Sequence, residues 1–443
     1  FVNDKKMKLV HPFDDPAIVC GAGTIGIEIL EEVKNDIDCI LVPVSGGGML
    51  AGVATAIKAY KPNIHIIGVS MENGASMYNS IKMGKPVNVQ EEETIADALG
   101  GNIGLENKWT FPTVKKLVDS IVTVNEESIA RAIKLIFDTD MGNDVDDALA
   151  LAMLHSLESR GESELLAITL TKDNEEVAPY VDAINTFYGR GEIPIGITNS
   201  GVTPDKSRFT GVTLEMNDSQ YIYPHDLQLG DPAPNAVPLL REVLANQPDQ
   251  SVVIVQVGFS TNLAQLLNTQ ADEHSDLDGV ELISRKVKHI SIMAGTFAPI
   301  NNETHLEYNI VQDIRSAQKL AEEWLTPIYW SGFEVGLAIR YPAISIEQDF
   351  GYSDRHPIPE SYQSYVPTPH ERPTWDLTSV LWAIRESRGY FGISEAGLVT
   401  VLDDGETKFT VDPAGNHYYL TTDKTQQEVV RELFATLVSE PPD

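Results

Sequence analysis

Ile133-Lys-Leu-Ile-Phe-Asp138-Thr-Asp140-Met-Gly-Asn-Asp144-Val-Asp146-Asp147-Ala148 is the stretch on which the fold turns. An apolar run ends in acids and gives way to an amphipathic helical pattern, DDALALAMLHSLESR, over 146–160. Five aspartates stand within ten residues. Side by side they repel one another unless water or a cation neutralises them. Hard oxygen ligands on a turn suit Ca²⁺, and functional sites of open α/β sheets lie at the carboxyl ends of strands. No Glu stands at the EF-hand position and a strand precedes the cluster, which excludes that motif. Taken alone, the cluster also reads as a solvated acidic loop capping a helix.

Outward from this point the chain alternates strand and helix. Downstream come strand ELLAITL (164–170), helix PYVDAINTFYGR, strand IPIGIT and a Gly/Pro/Asp-rich loop over about 199–236. Helix AVPLLREVLAN, strand SVVIVQVG, helix STNLAQLLNT, strand HISIMAG, helix DIRSAQKLAEEW and strand IYWSGFEVG follow. Repeated βα units predict an open, mainly parallel sheet. LVTVLDDGETKFTV and NHYYLTT, joined through Asp404-Gly405 and Asp412-Pro-Ala-Gly415, predict antiparallel hairpins at the C-terminal end. Upstream, helix 23–35, strand CILVPV (39–44), helix 48–60, strand IHIIGV (64–69) and strand SIVTV (120–124) form a second α/β series. NEESIARAIKLIF opens on Asn125 as an N-cap, with a second cap signal at Ser128, and IKLIF fits helix or strand.

The chain has 443 residues, 65 Asp+Glu against 32 Lys+Arg, and a formal charge of −33. Only −4 of this falls on residues 1–136 and −29 on the remainder, which marks two parts of different character. So acidic a surface repels phosphate backbones and anionic lipid, so no nucleic-acid partner and no membrane partner is expected. Two cysteines, Cys20 and Cys39, make neither a disulfide framework nor a four-thiolate zinc site, and point to a reducing, cytoplasmic setting. No apolar run approaches about 18 residues, and the start has no signal-peptide core. It lacks an initiator Met, so a fragment or processed chain is expected.

The aspartate stretch resembles the metal-binding signature Asp-x-Asp-Pro-Gly-x-Asp-Asp-Ala of the inosine–uridine-preferring nucleoside hydrolases, with Met141 in place of the proline and two extra residues before Asp146-Asp147. Later stations of that family arrive in order. They are Asn174 after the second strand, Gly258-Phe-Ser-Thr261-Asn262-Leu-Ala, Asn301-Asn302-Glu-Thr-His305-Leu-Glu307-Tyr-Asn309 and Arg372-Pro-Thr-Trp375-Asp376. The resemblance covers residues 137–443. It implies Ca²⁺ held by Asp140, Asp147, Asp376 and the Thr261 carbonyl, with Asp140 as general base to a water nucleophile. It implies a ribose grip from Asp146, Asn174, Asn301 (or Asn302), Glu307 and Asn309. Trp375 stands where many members carry a leaving-group His; an indole stacks on a heterocycle but gives up no such proton. His305, Tyr308 and His370 are the other candidate donors. Read singly, Thr261, Asn262 and Asp376 also fit helix caps, Glu307 and Asn309 fit turn polars, and Asp138 fits a loop-structuring role.

Residues 1–136 resemble part of serine racemase and threonine dehydratase, fold-type II pyridoxal-phosphate enzymes, through His11-Pro-Phe-Asp-Asp-Pro16, Gly21-Ala-Gly-Thr24-Ile-Gly-Ile-Glu28 and Pro43-Val-Ser45-Gly46-Gly47-Gly48-Met49. The resemblance implies a truncated α/β half-domain with an open sheet edge and an uncovered apolar face. It implies a remnant phosphate loop at Ser45, Gly46, Gly47, Gly48 and Met49, equally readable as a tight βα turn. The Schiff-base lysine segment is absent and Ser70 stands at a metal-ligand Glu position, so no pyridoxal-phosphate activity is expected.

The expected domains are thus 1–136, a partial pyridoxal-phosphate-type unit, and 137–443, a nucleoside hydrolase-like unit. The expected function is Ca²⁺-dependent hydrolysis of the N-glycosidic bond of ribonucleosides, serving purine and pyrimidine salvage. The alternatives are a non-catalytic metal- or ribose-binding domain and an inactive dehydratase or racemase fragment. The partner is a small nucleoside, and a homo-oligomer stays open.

Overall fold

In a computed structural model, which describes residues 11–33, 37–90, 96, 99–124, 133–231, 233–386 and 388–442, the apolar runs of the first part pair in parallel. Helix α1 (Pro16–Glu32) starts at Asp15, whose carboxylate accepts the Ala17 N–H (2.8 Å), with Pro16 at the first helical position, where its missing N–H costs nothing. Strand β1 (Cys39–Pro43), helix α2 (Gly48–Tyr60), strand β2 (His65–Met71), helices α3 (Ser76–Met83) and α4 (Thr110–Leu117) and strand β3 (Ser120–Val124) follow. The sheet runs β1-β2-β3. One face buries Leu50, Val53, Ile57 and Ile66, while Leu41 and Val122 remain 65% and 44% exposed on the strands themselves. Gly23 and Gly52 let α1 and α2 touch backbone to backbone. A Cβ on Gly52 would stand 2.4 Å from the Val19 carbonyl oxygen and 2.7 Å from Gly23 N. The glycines of the Gly21–Gly26 segment thus include a helix-packing device.

The chain divides into Phe1–Arg131 and Ala132–Asp443. Strand β4 (Ile133–Thr139) pairs along its length with neighbours on both sides, so it lies whole in the second unit. An expected division after residue 136 would cut that strand, and the backbone ladder moves the join upstream. IKLIF is therefore strand, and the cap signals at 125 and 128 lie outside the described residues.

The second unit continues with α5 (Asp146–Ser159), β5 (Ser163–Leu170), α6 (Val177–Phe187), β6 (Ile195–Gly196), β7 (Met216–Asn217), β8 (Gln220–Tyr221), α7 (Ala236–Ala245), β9 (Val252–Gln256), α8 (Thr261–Leu267), α9 (Gly279–Lys286) and β10 (Val287–Met293). After these come α10 (Tyr308–Gln312), α11 (Ile314–Glu323), β11 (Ile328–Ser331), α12 (Phe333–Ala338), α13 (Ala343–Gln348), α14 (Pro357–Tyr365), α15 (Trp375–Ile384), β12 (Gly392–Ile393), β13 (Gly397–Val401), β14 (Thr407–Val411), β15 (His417–Thr421) and α16 (Lys424–Val438). The sheet order is β14-β13-β15-β11-β10-β9-β4-β5-β6, parallel from β15 to β6, with β12 against β15. The expected open α/β sheet is present.

Apolar residues all round α5 fit its position. Every residue from Asp146 to Leu157 is buried, between the sheet and helices α15 and α16. Each buried Leu there contributes about 1.5–3 kcal/mol. A second core, with Leu240, Leu263, Leu282 and Leu320, covers the other face of the sheet. β13 and β14 make the expected hairpin through Asp404-Gly405. β15 does not turn back onto β14. It runs parallel to β11 and antiparallel to β13, where buried His417 accepts the Val399 N–H through Nδ1 (2.9 Å). The loop expected over 199–236 holds the small β7–β8 ladder. Among the described residues, no helix is long and apolar enough to cross a membrane.

Candidate active site

The β4 strand delivers its acids to one end of the sheet. Asp138 stays inside the fold: its Oδ1 accepts from Thr169 Oγ1 (2.5 Å) and Asn262 Nδ2 (2.9 Å), tying β4 to β5 and to α8. Burial pushes its carboxyl up to about 7. Thr139 donates its hydroxyl to Asp147, and Asp140 turns outward, where its Oδ2 accepts from Asn143 Nδ2 (2.8 Å). Asp140 is pushed up to about 6, chiefly by burial.

Asp146 and Asp147 occupy the first turn of α5, and Asp376 the first turn of α15. The N-terminal ends of two helices therefore converge on carboxylates, which the helix dipoles favour. One oxygen of each of these three acids lies within 4.8 Å of the others, and all three are buried. Burial, and then their neighbours' charges, raise all three well above the usual carboxylate range. Buried carboxylates this close are costly without a counter-charge, and three hard oxygen donors fit a hard cation: the acidic triad can hold a metal. The geometry groups Asp146 with Asp147 and Asp376, where the family pattern implied Asp140; Asn143 holds the Asp140 carboxylate.

A cavity of about 360 Å³ opens over this triad. Glu307 enters it from the N-cap of α10, its carboxylate accepting the N–H groups of Asn309 (2.8 Å), Gly295 (3.1 Å) and Ile310 (3.1 Å). Burial pushes it up to about 7 against those three donors. Asn309 donates its amide to the carbonyls of Val257 (2.7 Å) and Met293 (3.1 Å), leaving Oδ1 for a ligand. The wall is Phe333, Trp375, Arg372 and Tyr365. Trp375 Nε1 donates to the Phe333 carbonyl (2.9 Å), with the two rings stacked 5.2 Å apart.

Of the residues implied by the family pattern, Asp140, Asp146, Asp147, Glu307, Asn309, Trp375 and Asp376 line this cavity. Thr261, Asn174 and Asn301 do not. Thr261 opens α8 with its hydroxyl on Asp313 (2.6 Å). Asn174 faces the 204–205 segment, donating to the Pro204 carbonyl (2.9 Å). Asn301 sits in an exposed turn at φ 53°. Among the candidate donors Tyr308 lines the cavity, whereas His305 packs on Phe333 (3.9 Å) and His370 on Tyr362 (5.1 Å).

Sequence reasoning missed Asn143, Asp144 and the role of Arg372. Arg372 Nε donates to Asp144 Oδ1 (2.8 Å) and its Nη2 to Asp144 Oδ2. Asn143 also accepts from buried Lys172 Nζ (2.9 Å). The only signal was the two-residue lengthening of the aspartate loop.

In the first unit, Gly47 caps α2 at φ 86° and Ser45 donates to the Gly100 carbonyl (3.2 Å). Phe13 packs on the turn: a Cβ on Gly46 would meet its ring at 2.3 Å, and one on Gly48 its backbone at 3.1 Å. Met49 is part-exposed. Gly46 and Gly48 thus leave no room for a side chain beside Phe13.

Residues 1–165 match the profile of the pyridoxal-phosphate dependent enzymes. The chain is 38% identical over 170 residues to an L-threonine ammonia-lyase of Thermotoga maritima, covering 38% of this chain and 41% of that one. It is 43% identical over 128 residues to a catabolic L-threonine dehydratase of Staphylococcus aureus, covering 29% and 36%. The chain therefore spans about half or less of the length of the curated relatives it matches. A purine-preferring ribonucleoside hydrolase from Gardnerella vaginalis shares the fold, with 20% identity, a TM-score of 0.52 and coverage of 69% of this chain and 98% of that one. The first unit thus resembles part of a fold-type II enzyme, while over residues 135–433, more than half of its length, the chain matches and belongs to the inosine-uridine preferring nucleoside hydrolase family.

Proposed function

We propose that the second unit catalyses Ca²⁺-dependent hydrolysis of the N-glycosidic bond of ribonucleosides, giving ribose and free base. The supporting observation is the buried carboxylate cluster that floors a nucleoside-sized cavity, with Glu307 and Asn309 beside it. Asp147 and Asp376, with Asp146 or Asp140, are the residues to hold the cation. A hard divalent cation there supplies positive charge that orients a ribose diol and a water and lowers the water's pKa.

The remaining work falls to side chains. Asp140, steadied by Asn143, accepts the proton of the attacking water. Glu307, fixed by three backbone N–H groups, accepts from a ribose hydroxyl, and so does Asn309 Oδ1. The negative field of the floor stabilises the oxocarbenium-like ribosyl cation as the C1′–N bond breaks. Thr261, Asn174 and Asn301 are given no step, since none lines the cavity. We place this chemistry in nucleoside salvage in the cytoplasm, and assign no catalysis to the first unit.

A nucleoside panel assayed for released ribose, with and without chelator and with Asp140→Asn, tests the reading. Chelation should abolish turnover, and the variant should lose about 10²–10⁴-fold. Equal rates in all arms would sink it. The second reading, a binding domain without turnover, draws on the commitment of Trp375 Nε1 to a backbone carbonyl. Calcium and ribose binding with no turnover in any arm would favour it.

A further inference from the structure

The reaction leaves an electron pair on the departing base nitrogen, and something must stabilise it. Trp375 does not donate a proton there, since its one N–H is spent on the Phe333 carbonyl. The cavity tyrosines are poor acids: burial pushes Tyr365 up to about 12 and raises Tyr308 too. Among the described residues that line the cavity, the one cationic side chain is Arg372.

Its setting is built rather than incidental. The backbone on either side is pinned, with Arg372 N–H donating to Tyr362 Oη (2.8 Å) and its carbonyl accepting from Tyr341 N–H (2.8 Å). The guanidinium lies 5.1 Å from the Trp375 ring centre and 5.2 Å from that of Tyr365. Asp144, from the lengthened loop, takes Nε and Nη2 in a fork. Nη1 makes no hydrogen bond among the described residues, so a donor edge of a fixed cation remains for a ligand.

We propose that Arg372, oriented by Asp144, is the leaving-group residue of this site. It donates through Nη1 to an acceptor on the base, an oxo oxygen or ring nitrogen, and stabilises the base as it departs. The C1′–N bond breaks with its electron pair passing to the base. A water oxygen bonds to C1′ and gives its proton to Asp140, and the base anion then takes a proton from solvent. The inference rests on the N-ribohydrolase reading above.

The test compares inosine with 4-nitrophenyl β-D-ribofuranoside, whose phenolate leaves without help. Arg372→Gln should lower kcat on inosine by about 100-fold or more and on the nitrophenyl riboside by less than about threefold. Arg372→Lys, which keeps the charge and loses the fork, should fall between. Equal losses on both substrates, or no loss on either, would overturn the proposal. If Arg372→Gln does not fold, as thermal melting will show, Arg372→Lys is compared with wild type across ribosides of graded leaving-group acidity. A steeper dependence in Arg372→Lys supports the role; parallel slopes overturn it. Wild-type turnover of the nitrophenyl riboside but of no nucleoside would defeat the N-ribohydrolase reading and this inference with it, whereas turnover of inosine with equal losses on both substrates would defeat this inference alone. Turnover of neither substrate would likewise defeat both.

Discussion

Gly258 sets how closely two strand ends approach beneath the site. A Cβ there would stand 2.5 Å from Asp140 N and 2.4 Å from Thr171 Oγ1, so any side chain pushes the Asp140 loop off its seat. Gly258→Ala should therefore weaken calcium binding by about tenfold or more and cost about 1–3 kcal/mol of stability. Calcium titration and thermal melting check it, and a wild-type affinity would show that the loop tolerates the shift. Much of the candidate site was legible through the resemblance to the nucleoside hydrolase pattern, whose stations fall where strands end and helices begin. Asp140, Asp146, Asp147, Glu307, Asn309 and Asp376 all stand at such points. The Arg372–Asp144 pair was not, because 228 residues separate its members and only the folded chain brings them together. Asn174 follows β5 as the pattern implies, and its side chain donates to the neighbouring loop.

At the scale of elements, one buried cation organises the connection after α8. Arg241 on α7 is 1% exposed at its side chain, and donates to Asp272, Thr269 and the carbonyls of Ser275 and Leu277. These bonds pin the segment that leads into α9. Arg241→Ala removes them and leaves a void, and should cost about 3 kcal/mol in urea unfolding. A change below about 1 kcal/mol would mean the segment holds without it. The Arg241 hydrogen bond holds Asp272 down at about 2, against its ordinary 3.8. A depressed carboxyl stabilises the fold above its unfolded pKa, so this contribution is full above about pH 4 and fades toward pH 2. Strong apolar periodicity made most strands and helices legible. β6 is two residues long because the backbone beyond it pairs elsewhere: Ile197 N–H donates to the Pro234 carbonyl and the Ile197 carbonyl accepts from Ala236 N–H (both 2.8 Å). The place of β15 escaped because strand order is a tertiary choice between partners of similar pattern.

At the scale of the whole molecule, the charge asymmetry now has a division to match it, with the strongly acidic part forming the hydrolase-type unit. Its internal acids bear on stability as well as on chemistry. Asp146, Asp147 and Asp376 are raised well above the ordinary carboxylate value, chiefly by burial. A raised carboxyl binds a proton more tightly in the folded state, so each contributes stability that grows as pH falls from its folded pKa toward its unfolded one near 3.8. A cation on the same oxygens must displace those protons, and its binding weakens as pH falls. Calcium should then raise the melting temperature by roughly 5 °C at about pH 8, relative to chelator, and by less than half of that at about pH 5.5. Asp376→Asn should reduce the gain at both values while leaving the fold intact, because the amide keeps the volume of the carboxylate and sheds its charge. Differential scanning calorimetry of wild type and variant at the two pH values reads both effects. An equal gain at the two values would separate the bound cation from these carboxylates. A gain in the variant as large as in wild type would remove Asp376 from its ligands.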